Sequence, residues 1–153
     1  MYKLVDLFEY YDPKKNYSRE HPQNQLVLSH LREIAHILLD RHYDGRSLRF
    51  TDLMKTVSAM TGQKYVFYPS CAAIMELNEL FYNQTGHLIA ACLLFDKPGL
   101  LSGPLFENAV ELGALDIEAT PEEQEEFWVG EGEFFKDMCW RRILGMLEDI
   151  FGE

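Results

Sequence analysis

The chain has 153 residues, 47% of them hydrophobic and 25% charged, with a formal net charge of −11. That length fits one domain with its own core, and the apolar content excludes a wholly disordered chain. The charge is lopsided, because residues 1–103 are balanced and the entire −11 falls in Pro104–Glu153.

In chain order, Leu4, Leu7, Phe8 and Tyr11 predict a short N-terminal helix ended by Asp12-Pro13. A polar loop runs on to Gln23. Leu28, Leu31, Ala35, Leu38 and Leu39 form an apolar stripe that predicts one helix from Gln25 to His42, followed by an Asp44-Gly45 turn. A second helix is expected from an N-cap at Thr51 to Thr61-Gly62, and an extended segment at Tyr65-Val66-Phe67. The next helix opens at Pro69-Ser70, runs to Gln84 and stops at Gly86.

The apolar run Leu88–Phe95 reads as a buried strand, Asp96–Gly99 as a turn, and Leu100-Leu101 as a returning strand. A helix from Leu105 to Leu112 closes at Gly113. Thr120-Pro121-Glu122-Glu123 has the form of a capping box with proline at the first helical position. Helical spacing then continues through Glu131–Phe151.

These elements predict a mainly α fold with a small β-hairpin: a winged-helix-like core plus C-terminal acidic helices. One domain is expected over 1–153. It divides into an N-terminal helix and loop (1–23), the core (24–113) and an acidic extension (114–153). The helix from Pro69 to Gln84 takes the recognition-helix position, and the hairpin takes the place of the wing.

The segment from Leu48 to Trp140 resembles an uncharacterised winged-helix-like module of prophage, mobile-element and restriction-associated bacterial proteins. The residues that carry the resemblance are Arg49-Phe50-Thr51-Asp52-Leu53, Ala73–Gln84 with Gly86, and Leu88–Lys97 with Pro98-Gly99. Gly103-Pro104-Leu105-Phe106-Glu107, Glu111-Leu112-Gly113 and the acids around Phe127-Trp128 complete it. Pro98 and the additional residues Leu100–Ser102 depart from the pattern. The resemblance implies a fold and a mobile-element setting, and no catalytic residues.

Several function classes lack their motifs. There is no His-Glu-x-x-His, no Cys-x-x-Cys, no P-loop, no Gly-x-Ser-x-Gly and no Gly-x-Gly-x-x-Gly. His30, His36 and His42 are spaced six apart and share no helix face. No metal site, no cofactor and no catalytic residue is expected. Cys71, Cys92 and Cys139 are odd in number and far apart, which argues for free thiols in a reducing compartment. Cys71 stands near a helix start, where a thiolate gains stability. No base is paired with it in sequence, so a structural role is expected. No apolar run approaches the roughly 20 residues of a membrane span, and Asp6 interrupts the place of a signal-peptide core. A cytoplasmic protein without a membrane partner is expected.

Two surfaces remain. Glu118, Glu122, Glu123, Glu125, Glu126, Glu131 and Glu133 form an acidic face, with Phe127 and Trp128 as candidate anchors. A solvated helix face, an anionic surface for a basic partner and weak cation binding are all compatible with that run. Arg46, Arg49 and Lys55 offer a modest basic face for the alternative, a DNA-binding regulator or accessory factor. Against DNA, the recognition-position helix contains no lysine or arginine and does contain Glu76 and Glu79. Affinity for DNA needs bases on the phosphates. The leading expectation is therefore a non-enzymatic interaction module whose acidic face meets a basic protein surface. With the mobile-element resemblance, its specific form is a DNA-mimicking, anti-CRISPR-like inhibitor of a nucleic-acid-binding nuclease.

Overall fold

The computed structural model describes residues 22–95 and 103–152. Among these residues the order is α1 (Pro22–Leu28), α2 (Leu31–Tyr43), α3 (Phe50–Thr61), α4 (Phe67–Thr85), a 3-10 turn η1 (Ile89–Cys92), α5 (Pro104–Glu111), α6 (Pro121–Lys136) and α7 (Trp140–Phe151). The expected N-terminal helix, the Asp96–Gly99 turn and the second hairpin strand lie outside the described residues.

Helix α4 is the axle of the fold. It buries Pro69 through Ile74, Leu77, Asn78 and Phe81, and α1, α2, α3, α5, α7 and η1 all pack against it. It begins at Phe67, so the expected extended Tyr65–Phe67 segment is instead a helix entry. Pro69 falls in the first turn, where a missing N–H costs nothing. At the other end Gly86 adopts φ 77°, and its N–H donates to Tyr82 O at 2.8 Å. That is the left-handed stop its position predicts.

The helix expected over Gln25–His42 is two helices. Ser29 Oγ donates to Leu26 O, and His30 N to Val27 O at 2.9 Å, which closes α1 before α2 starts. Neither glycine nor proline marks the break. Helix α3 starts at Phe50 with Arg49 as its N-cap, ahead of the expected Thr51.

The hairpin is corrected. The run Leu88–Phe95 is not a strand: Ile89–Cys92 form a short 3-10 turn, and one parallel bridge joins Leu94 to Arg49. The reason lies in where the backbone donors go. Leu94 N bonds Leu48 O and Phe50 N bonds Leu94 O, which accounts for the bridge. The donors further back meet side chains: Leu88 N donates to Glu131 Oε1 at 2.9 Å and Ala90 N to Asn78 Oδ1 at 2.9 Å. A buried segment must place its N–H groups somewhere. Here two distant polar side chains do what a neighbouring strand would have done. Asn78 also donates from Nδ2 to Asn108 Oδ1 at 3.0 Å, so it ties α5 to α4 as well.

The C-terminal part follows its sequence signals closely. Thr120 accepts from Glu123 N, Glu123 accepts from Thr120 N at 3.0 Å, and Pro121 opens α6. The periodic run Glu131–Phe151 is divided at Asp137–Cys139 into α6 and α7. Phe135 of α6 and Phe151 of α7 both pack against the Phe81 ring, and Trp140 meets His36 and Tyr43 of α2. Thr120→Ala removes one side of the capping box and is expected to cost about 1 kcal/mol, read as a lower urea midpoint at unchanged slope. Among the described residues no helix is long and apolar enough to cross a membrane.

Candidate functional site

Helix α6 has two chemically distinct sides. Glu122, Glu126, Val129 and Glu133 recur at helical spacing and share its outer face, flanked by Glu123 and Glu125. All five glutamates are exposed, and Glu118 is exposed just ahead of the helix. Four of the charges, Glu122 to Glu126, fall within a rise of about 6 Å, and Glu133 stands about 10 Å further along the axis. Among the described residues none of these five, nor Glu118, forms an ion pair. Lys136 is the one exposed base at the end of the stripe.

Glu131 is not part of that face, which corrects the sequence expectation. Its residue is only 6% exposed, and it points inward to the loop after α4. One carboxylate oxygen accepts from Leu88 N and the other meets His87 Nδ1. The His87 ring lies flat on Phe134, with centroids 3.6 Å apart. Next to it, Gly132 O lies 2.7 Å from His42 Nε2. A carbonyl only accepts, so Nε2 carries the proton. In the neutral ring, Nδ1 then accepts from the Ser47 hydroxyl at 2.8 Å. Gly132 makes a close approach: a Cβ there would stand 3.3 Å from Ala91 O, a tight contact that would push the neighbouring backbone by a few tenths of an ångström. The Glu131-Gly132 pair is therefore the point where α6 touches η1.

The candidate anchors are also relocated. Trp128 is 8% exposed, and Phe127 is half-buried and edge-on to it. Both belong to the core. The apolar residues that do emerge among the acids are Val129, 55% exposed, and Ile117, 72% exposed beside Glu118. Val129 was legible in the helical repeat, since it shares the register of Glu122, Glu126 and Glu133.

The basic face is largely neutralised. Arg46 pairs with Asp44, while Arg49 and Lys55 both approach the Asp52 carboxylate, at 3.0 and 3.8 Å. Helix α4, the supposed reader of DNA, is buried along most of its length. Cys71 is buried five residues into α4, and burial pushes its thiol up to about 12. Burial raises Cys92 as well. A thiol held protonated is a poor nucleophile. Among the described residues no group of three or more His, Cys, Asp or Glu is placed to hold a metal ion.

A cleft of about 450 Å³ opens between the last turn of α4, the end of α6 and α7. Phe134, Met138 and Met146 line it with apolar surface, and Gln84, Thr85, Arg142, Gly145 and Asp149 complete the lining. No local sequence pattern announces it, because its walls come from three separate helices.

No protein-family model, no curated protein and no solved structure matches the chain.

Proposed function

We propose that the protein is a non-enzymatic interaction module whose outer α6 face engages a basic protein surface. One observation carries the reading. Glu122, Glu123, Glu125, Glu126 and Glu133 stand exposed along one helix, without ion pairs among the described residues, four of them crowded into its first two turns. A solvated helix face ordinarily interleaves bases with its acids, and this one does not until Lys136. The exposed Val129 supplies an apolar contact inside the charged field, a pattern suited to an interface with a desolvated centre.

In its specific form, the face occupies the nucleic-acid channel of a nuclease in a cytoplasmic defence system, as a mimic of the bound strand. Direct DNA binding is the weaker alternative, because Arg46 pairs with Asp44 and Arg49 and Lys55 share Asp52.

The test leaves Glu123 in place, since it caps α6. Glu122, Glu125, Glu126 and Glu133 are replaced together by glutamine. The native chain should capture basic nucleic-acid-binding proteins from nuclease-expressing cells, in competition with duplex DNA and with strong salt dependence. The quadruple variant should weaken that capture by at least about tenfold through loss of electrostatic complementarity. Capture that is indifferent to both salt and the four substitutions would refute the proposal. A salt-sensitive gel shift of random DNA by the native chain at micromolar concentration would favour the DNA-binding alternative.

A further inference from the structure

We infer that the cleft between α4, α6 and α7 binds a small elongated zwitterion, namely a basic amino acid or a chain end that terminates in one. Its carboxylate would lie on Arg142 and its cationic end on Asp149. This inference does not depend on the acidic stripe, which occupies another face of α6.

The argument begins with α7. Arg142, Gly145, Met146 and Asp149 fall at i, i+3, i+4 and i+7, so a single helix face lines the cleft with a cation at one end and an anion at the other. Their Cα atoms are separated by a rise of about 10 Å, and neither side chain forms an ion pair among the described residues. Between them Gly145 leaves the wall open, for a Cβ there would meet nothing within 4 Å.

The placement of charge on α7 runs against helix stability. Arg141 and Arg142 occupy the first turn, at the positive end of the macrodipole, while Glu148 and Asp149 occupy the last, at its negative end. A stable helix prefers the reverse. Here the side chains reinforce the dipole of the helix and extend its field along the cleft. An anionic group is drawn to the Arg142 end and a cationic group to the Asp149 end. Helix α4 brings its C-terminal turn to the same cleft through Gln84 and Thr85.

The floor suits the middle of such a ligand. Phe134, Met138 and Met146 offer a flexible, polarisable surface for an aliphatic chain. The hydroxyl of Thr85 is already used, as it donates to Phe81 O and accepts from His87 N. The Gln84 amide is exposed at the rim and forms no hydrogen bond among the described residues, so it is available to a ligand amine or amide. The cleft volume falls in the range of small-ligand sites.

Calorimetric titration of the full chain tests this with L-lysine, L-arginine and the acetylated peptide Gly-Gly-Lys bearing a free carboxylate. Binding of at least one, with Kd no weaker than about 1 mM, is expected for a ligand of this size. Norleucine, which lacks the side-chain cation, and lysinamide, which lacks the carboxylate, should each bind at least about tenfold more weakly than lysine. Asp149→Asn should erase the preference for lysine over norleucine, and Arg142→Gln the preference for lysine over lysinamide. Gly145→Leu should fill the cleft and abolish binding while leaving the thermal midpoint nearly unchanged. Binding of lysine alone points to a free amino acid, and binding of the peptide alone to a chain end. Absence of binding by all three probes overturns the inference, as does binding of norleucine or lysinamide as tight as that of lysine. The four-glutamine variant of α6 should bind as the native chain does, which separates this site from the acidic stripe.

Discussion

Glu131→Ala is expected to lower the unfolding free energy by about 3 kcal/mol, although it removes only one of the many acids in the C-terminal third. Its carboxylate accepts from Leu88 N and from His87 Nδ1 in a buried setting. Leu88 is fully buried, so truncation leaves its N–H with no acceptor and no water. An orphaned buried donor costs about 1–3 kcal/mol, and the histidine loses its partner as well. Glu131→Gln keeps a carbonyl oxygen for Leu88 N and is expected to cost about half as much. Urea denaturation provides the measurement, with a shifted midpoint at constant slope. Alanine at Glu126, one turn and a half away on the outer face, should fall within about 0.5 kcal/mol of the native chain. If Glu131→Ala proves as mild as Glu126→Ala, the carboxylate is not what fastens α6.

Phe81→Ala is expected to cost still more, about 4 kcal/mol. The ring is fully buried on α4 and meets Phe135 of α6 and Phe151 of α7, with centroids 6.1 and 6.5 Å away. It therefore holds together three helices from distant parts of the sequence, and truncation leaves a cavity that none of the three can fill by moving alone. For a chain of this length the loss corresponds to a fall in melting temperature of roughly 8–16 °C. Phe81→Leu retains most of the volume and should cost about 1.5 kcal/mol or less. A small effect from Phe81→Ala would show that α6 and α7 repack freely on α4.

Much of the helical frame could be read directly. Gly86 and Gly113 stop α4 and α5 where expected, and Thr120-Pro121-Glu122-Glu123 opens α6 as its capping signature requires. These signals are local, so the sequence carries them whole. The hairpin expectation failed because eight consecutive apolar residues, Leu88–Phe95, have no periodicity to separate a strand from any other buried segment. What decided their conformation was the position of Asn78 and Glu131, which no local pattern reveals. The split of α1 from α2 left no glycine or proline behind.

The candidate site was legible in part. Charge counting located the acidic segment, but it treated Glu131 as equivalent to its neighbours. The distinguishing signal was its register, because Trp128, Glu131 and Phe135 share the inward side of α6. An acid that keeps company with buried aromatics at helical spacing is a candidate for burial. The cleft stayed invisible because it depends on how α4, α6 and α7 meet.

The contact of Glu131-Gly132 with η1 also settles an ambiguity that apolar packing leaves open. A helix with aromatics on a broad inner side could slide by one turn and still bury them. Slipped in that way, α6 would present Phe127-Trp128 or Phe135-Lys136 to Leu88 N, Ala91 O and His42. None of those side chains could replace the carboxylate, and tryptophan or lysine in place of Gly132 would crowd the close approach to Ala91 O. The buried pair thus indexes the helix both along its axis and around it. In doing so it fixes the direction in which every outward glutamate points, so the orientation of the charged surface is decided from inside the protein.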